Sequence, residues 1–233
     1  MKDIEERQYE ELRKLGQQLR IPIPETFLKL EVRDKDGKVI HSHRQRSHSF
    51  GRDVYNYIFS HLVARNCPDD TFGAGYMSMK TTAGVVRHGS TGAGIIAQMN
   101  FQNNGPNAGA GVDDRGILIG SGTDAESFED YFLQSQIVSG SGAGQLSHVA
   151  SEAPVYSYDA GTKTWTAELK RYFNNNSGGN VSINEVALVY YLERVVGTAG
   201  KVLWSRDKLA STVTVPNTGQ LKMTYTIQLA YPS

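Results

Sequence analysis

Three groups of residues have the types and spacing to do chemistry. The first is Gly120-Ser-Gly122-Thr-Asp-Ala125, which follows the apolar run Ile117–Ile119 and precedes ESFEDYFL. A strand, a G-x-G-x-x-A turn and a helix would let backbone N–H groups approach a dinucleotide pyrophosphate. The acids that follow, Asp124, Glu126, Glu129 and Asp130, would repel phosphate, and SGSGAG stands where a second strand ending in an acid belongs. A tight turn between strands is the plainer reading. The second group is His41, His43 and His48, with Arg44 and Arg46 between them. On a strand His41 and His43 share a face and His48 is a nearby third ligand, but the flanking cations disfavour a metal ion. A solvated basic strand end is the plainer reading. Between the two lies pairing with acidic groups of a neighbouring subunit or with nucleic acid, where the imidazole charge would change near neutral pH. The third group is the carboxylate pairs Asp69–Asp70, Asp113–Asp114 and Glu129–Asp130, which are solvated loop charges or, less simply, calcium ligands.

Other chemistry is less marked. Ser, His and Asp are plentiful, but no G-x-S-x-G elbow occurs, so a hydrolase would need a dispersed triad. Tyr156, Tyr158 and Trp165 offer either a sugar platform or ordinary cross-strand packing. The expectation is a protein without catalytic residues, cofactor or metal.

Composition narrows the classes. The 233 residues carry 24 Lys and Arg against 24 Asp and Glu, so no global field holds a polyanion or an anionic membrane. The single cysteine, Cys67, excludes an intrachain disulfide and a multi-thiolate zinc site. The opening MKDIEERQYEELRKL has no apolar core of a signal peptide, and no apolar run is long enough to span a bilayer.

The elements that must position these residues follow from periodicity. Residues 3–19 read as a helix with the stripe Ile4, Leu12, Leu15 and Leu19, ended by Pro22 and Pro24. Residues 27–32 and 38–43 read as a hairpin about a turn at 34–37. A second helix, capped by Ser47 or Ser49, carries Phe50, Val54, Tyr57, Ile58 and Leu62 on one face and ends near Asn66. Residues 67–115 read as Gly/Asn-rich loops with short strands at 76–79 and 95–101, and 103–111 as a loop or arm. From 116 the pattern is β: 117–119, 134–138, 155–159, 164–173, 181–192, 202–204, 212–215 and a last strand through Leu221, Met223, Tyr225, Ile227 and Leu229. The run at 181–192 is the candidate central strand. This predicts a mainly β fold: an antiparallel β-sandwich or jelly-roll-like domain over 116–233. A helix–hairpin–helix arm over 1–66 and the loop region 67–115 would precede it.

Three segments together resemble structural proteins of tailed-bacteriophage virions. They are the hairpin FLKLEVRDKDGKVIHSH leading into SHSFGRDVYNYIF, the stretch GILIGSGTDAESFEDYFLQSQI, and the C-terminal strands. The residues that carry the likeness are Ile183, Glu185, Val186 and Leu188; then Arg206, Asp207 and Leu209; then Val213, Val215, Gly219, Leu221, Tyr225 and Ile227. The resemblance implies a β-sandwich head- or tail-associated protein, located in the virion and assembled in many copies. Its partners would be itself and other virion proteins such as the major capsid or tail proteins. It implies no catalytic residue. Residues 4–19 and 50–62 are the expected contact segments, with loop 103–115 facing a partner, and Ile4, Leu12, Leu15, Leu19, Phe50, Tyr57, Asn107 and Asp113 as interface candidates. The alternative is a glycan- or receptor-binding module that works through loops and exposed aromatics.

Overall fold

The computed structural model describes residues 4–47, 49–62, 78–88, 105–195 and 198–231. The fold is mainly β, and every strand pair in its sheets is antiparallel. Helix α1 spans Ile4–Leu19 and ends with Arg20 at positive φ. Strands β1 (Ile23–Arg33) and β2 (Val39–Ser47) form the expected hairpin, and Asp34 Oδ1 accepts the Asp36 and Lys38 N–H groups in its turn. Helix α2 (Arg52–Leu62) and the short pair β3 (Ser78–Lys80) and β4 (Val86–His88) follow. The remaining strands are β5 (Gly116–Gly120), β6 (Ser147–His148), β7 (Val155–Asp159), β8 (Thr164–Asn174), β9 (Val181–Val195), β10 (Thr198–Val215) and β11 (Gln220–Ala230).

The first sheet has the order β2-β1-β11-β8-β6, with β7 also paired to β8. Strand β1 runs beside β11 over its whole length, from Ile23 opposite Ala230 to Arg33 opposite Gln220. The N-terminal hairpin is therefore continuous with the C-terminal strands, because its alternating face (Leu28, Leu30, Val32) buries against the same core as Leu221, Met223 and Tyr225. The second sheet has the order β10-β9-β5, with β9 in the middle as its long apolar run predicts. One buried cluster draws on both sheets: Leu28, Leu30 and Val32 from β1, Leu169 and Phe173 from β8, Ile183 and Leu188 from β9, and Val213 and Val215 from β10. Each fully buried side chain of this kind contributes about 1.5–3 kcal/mol of transfer free energy. A smaller cluster of Leu118, Leu133, Ala187, Val189 and Leu203 is separate from it.

Several local expectations are corrected. Val202–Trp204 and Thr212–Val215 belong to one strand, β10, whose register shifts between Leu203 and Ser205 and between Lys208 and Val213. ESFEDYFL forms no helix; Ser127 and Asp130 close a turn instead. Residues 134–138 form no strand beyond a single bridge between Gly120 and Gln136. Phe50 lies before α2 and bridges Ser205, and neither Ser47 nor Ser49 caps the helix: both hydroxyls go to Asp207. The expected strand at 95–101, His48 and Asp69–Asp70 lie outside the described residues.

Candidate functional site

The glycine turn after β5 does cradle an anion, and that anion belongs to the protein. Glu185 projects from β9 into the turn, fully buried. Its Oε1 accepts the Gly122 N–H at 3.1 Å and the Ser135 N–H at 2.7 Å, and its Oε2 accepts the Gln134 N–H at 3.0 Å. Arg206 on β10 supplies the counter-charge, its Nε donating to Oε2 at 2.7 Å. A Cβ at Gly120 would run into Glu185 Oε1 and come within 2.6 Å of the Ser135 carbonyl, and one at Gly122 would meet the same carboxylate. The glycines are needed because side-chain oxygen and backbone must approach this closely. The same geometry explains the missing strand at 134–138, since the Gln134 and Ser135 N–H groups are spent on the carboxylate and not on a ladder.

Arg206 makes four hydrogen bonds. Besides Glu185 it donates to Asp130 Oδ2 at 2.9 Å, to the Ala125 carbonyl at 3.2 Å and to the Asp124 carbonyl at 3.1 Å. Loop 121–135 is thereby fastened to the second sheet at both ends. The next residue, Asp207, is also fully buried and accepts the Ser47 hydroxyl at 2.8 Å and the Ser49 hydroxyl at 2.5 Å. The Tyr225 hydroxyl bonds Ser47 at 2.6 Å and Ser205 at 2.8 Å, and burial pushes its pKa well above the usual phenol value. This network ties β2, β10 and β11 across the core.

Arg171, wholly buried on β8, donates to five backbone carbonyls: Val149, Arg115, Ile117, Gly109 and Val112. Burial pulls its pKa down to about 10, opposed by Asp113 and Asp114. It holds the segment 109–117 against the sheet. Beside it His148 is buried, its ring edge-on to Phe173 at 4.9 Å. Burial first, and Arg171 second, push its pKa down to about 4. Asp53 in α2 accepts the Lys80 N–H at 3.0 Å, and burial raises its pKa to about 6.

Helix α1 docks through charge, not through its stripe. Arg13 grips Glu25 at 2.7 Å and Glu6 at 3.2 Å, and Arg46 grips Glu25 at 2.6 Å and Glu6 at 2.7 Å. The Arg46 guanidinium also lies 3.9 Å over the Tyr9 ring and 4.6 Å over Phe27. Ile4, Leu12, Leu15 and Leu19 are left 44–73 % exposed.

The remaining sequence candidates fall as follows. Tyr57 points inward, edge-on to Trp204 at 5.3 Å. Phe50 and Asn107 are half-buried, and Asp113 accepts the Ser139 N–H at 3.0 Å. His43 bonds Gln45 at 2.9 Å and His41 is exposed, and no metal-ligand group occurs among the described residues. Tyr156, Tyr158 and Trp165 stand together on one exposed face of β7 and β8. An open depression of about 480 Å³ is lined by Ser49, Phe50, Tyr55, Glu126, Ser127 and Phe128. Sequence reasoning passed over Arg171, Glu185, Arg206, Asp207 and His148 as buried groups. A signal existed for Arg171, which sits in phase with Leu169 and Phe173 on the apolar face of its strand. No family model matches the chain, and no curated protein or solved structure matches it either.

Proposed function

We propose that this protein is a non-enzymatic structural subunit that self-associates in the virion of a tailed phage, attached to capsid or tail. On this reading the two sheets are the layers of a β-sandwich platform, and α1 is an assembly element laid on its outside. The observation that carries it is the division of labour among the side chains. Buried charges such as Glu185, Arg206, Asp207 and Arg171 are bound to the protein's own backbone and side chains, whereas apolar groups are displayed on α1 and β7. A catalytic site needs polar groups held toward a substrate; an assembly subunit needs a rigid body with apolar surface. The residues behind the phage resemblance support the same reading. Glu185 and Arg206 meet in one buried pair, and Asp207 and Tyr225 meet through Ser47, so they serve as a framework.

Light scattering on a size-exclusion column, followed by negative-stain microscopy, tests the proposal. Rings, tubes or shells are the expected result. A monomer that persists at high protein concentration would overturn it. The glycan-binding alternative draws on the exposed Tyr156, Tyr158 and Trp165. Their geometry does not favour it: the Tyr158 and Trp165 rings are tilted by 38° at 5.0 Å, packed on each other instead of laid out as one flat platform.

A further inference from the structure

The edges of the first sheet are treated very differently. Strand β2 carries Arg44, Arg46 and His41, its pairing with β1 is irregular at Val32/Arg33, and its Gln45 side chain is fastened to β10 through the Lys208 carbonyl and the Ala210 N–H. Charges and bulges of this kind block the pairing of one sheet edge with another. Strand β7, at the opposite side, pairs with β8 in an unbroken register and carries a charge only at its last residue. Its sequence Val155-Tyr-Ser-Tyr-Asp159 is uncharged up to its last residue, all five residues are exposed, and among the described residues it pairs only with β8. One row of its backbone N–H and C=O groups is therefore open.

The side chains beside that open edge are apolar. Tyr158 lies opposite Trp165, and Trp165 opposite Leu229; Tyr156 lies opposite Ala167, and Ala167 opposite Ile227. Cross-strand partners share a face, so these residues form one patch, extended by Tyr231 at 6.5 Å from Tyr158. It continues the core-facing side of the sheet beyond the last buried positions, Leu169 and Tyr225.

We propose that β7 is a self-association edge, at which two copies of this chain pair antiparallel about a two-fold axis at Ser157. The inference rests on the reading of the protein as a self-associating subunit and names one of its contacts, the one that joins subunits in pairs. The strand is self-complementary in that register: Tyr156 meets Tyr158 of the second copy, Ser157 meets Ser157, and Val155 meets Asp159. No like charges face each other, and the aromatic pairs stack on the side that already carries Trp165. The joined strands bring Tyr156 and Tyr158 from each copy, 64 % and 45 % exposed, together with Val155 at 52 % and the open backbone edge, and Trp165 extends the apolar surface on the adjoining strand. A second copy satisfies both the open backbone and the rings, whereas a sugar engages only the rings.

The test uses the full chain. In a Ser157→Cys, Cys67→Ser variant the two new thiols face each other with Cα atoms about 4.5–5.5 Å apart, within reach of a disulfide. Mild oxidation should give a covalent dimer on a non-reducing gel. Ser157→Lys, in the otherwise unchanged chain, sets two like charges opposite each other and should weaken dimerisation about tenfold or more by sedimentation velocity. Circular dichroism should be unchanged, because Ser157 is exposed. If the wild type assembles while Ser157→Cys does not cross-link and Ser157→Lys assembles normally, the β7 edge is overturned and the assembly reading stands. If the wild type is a monomer throughout, both fall.

Discussion

Removing Arg206 should cost more than any surface contact in this protein. Arg206→Met keeps most of the volume of a side chain only 3 % exposed, but it deletes the Nε bond to Glu185 together with the bonds to Asp130, Ala125 and Asp124. Glu185 would then be a fully buried carboxylate held by the three N–H groups of Gly122, Gln134 and Ser135 alone. Breaking one partner of a buried ion pair costs about 3–5 kcal/mol, and the three surviving bonds place this case near about 3 kcal/mol. For a chain of this size that is a fall in Tm of about 6–12 °C. Urea unfolding measures the global loss. Cleavage by a glutamate-specific protease at Glu126 and Glu129 reports the loop, which should be cut faster once Arg206 no longer holds it. On a Glu185→Gln background the same Arg206→Met change should cost about 1–2 kcal/mol less, because no stranded charge remains. A loss below about 1 kcal/mol, with unchanged cleavage and no coupling to Glu185, would refute the cradle as a stability element.

Two further outcomes follow from the same interior. Gly120→Ala should destabilise the fold measurably in urea, since its Cβ would collide with Glu185 and the Ser135 carbonyl; unfolding identical to wild type would contradict the close approach. His148 makes stability acid-sensitive. Its pKa is about 4 in the folded state against 6.5 for the free group, so between those values the unfolded chain binds more protons. That contribution is complete above pH 6.5 and is lost as pH falls toward 4, to a total of about 3 kcal/mol. Asp53 acts oppositely in nearly the same window: its raised pKa makes stability fall as pH rises toward about 6. The comparison is therefore His148→Leu against wild type, each at pH 5 and pH 7.5; equal pH slopes would rule out the buried neutral imidazole.

Much of the fold was legible in the sequence because it is local. The alternation from Leu221 to Leu229, the apolar run of β9 and the stripe of α1 each state their own secondary structure. The errors have a common cause. ESFEDYFL has helical spacing, and 134–138 has strand composition, but the Ser127 N–H is claimed by Asp130 within its own turn and the Gln134 and Ser135 N–H groups by Glu185 on β9. The two short strands read at 202–204 and 212–215 merge because β9 offers a continuous partner through two irregularities. Of the candidate contact residues, the α1 stripe is exposed, Tyr57 packs edge-on to Trp204 and Asp113 accepts the Ser139 N–H.

The sequence by itself determined that this is a mainly β protein with a leading amphipathic helix, and that a glycine turn follows Ile119. Periodicity and turn chemistry are properties of neighbouring residues, and they survive any packing. Only the tertiary structure decided what the turn holds and which strand edges are closed. Glu185 lies more than sixty residues from Gly122. Strand β7 is open at its edge only because the chain brings it no partner besides β8 among the described residues. The first depends on which distant side chain satisfies the turn's N–H groups and the second on which strands the chain lays side by side, and no local pattern encodes either.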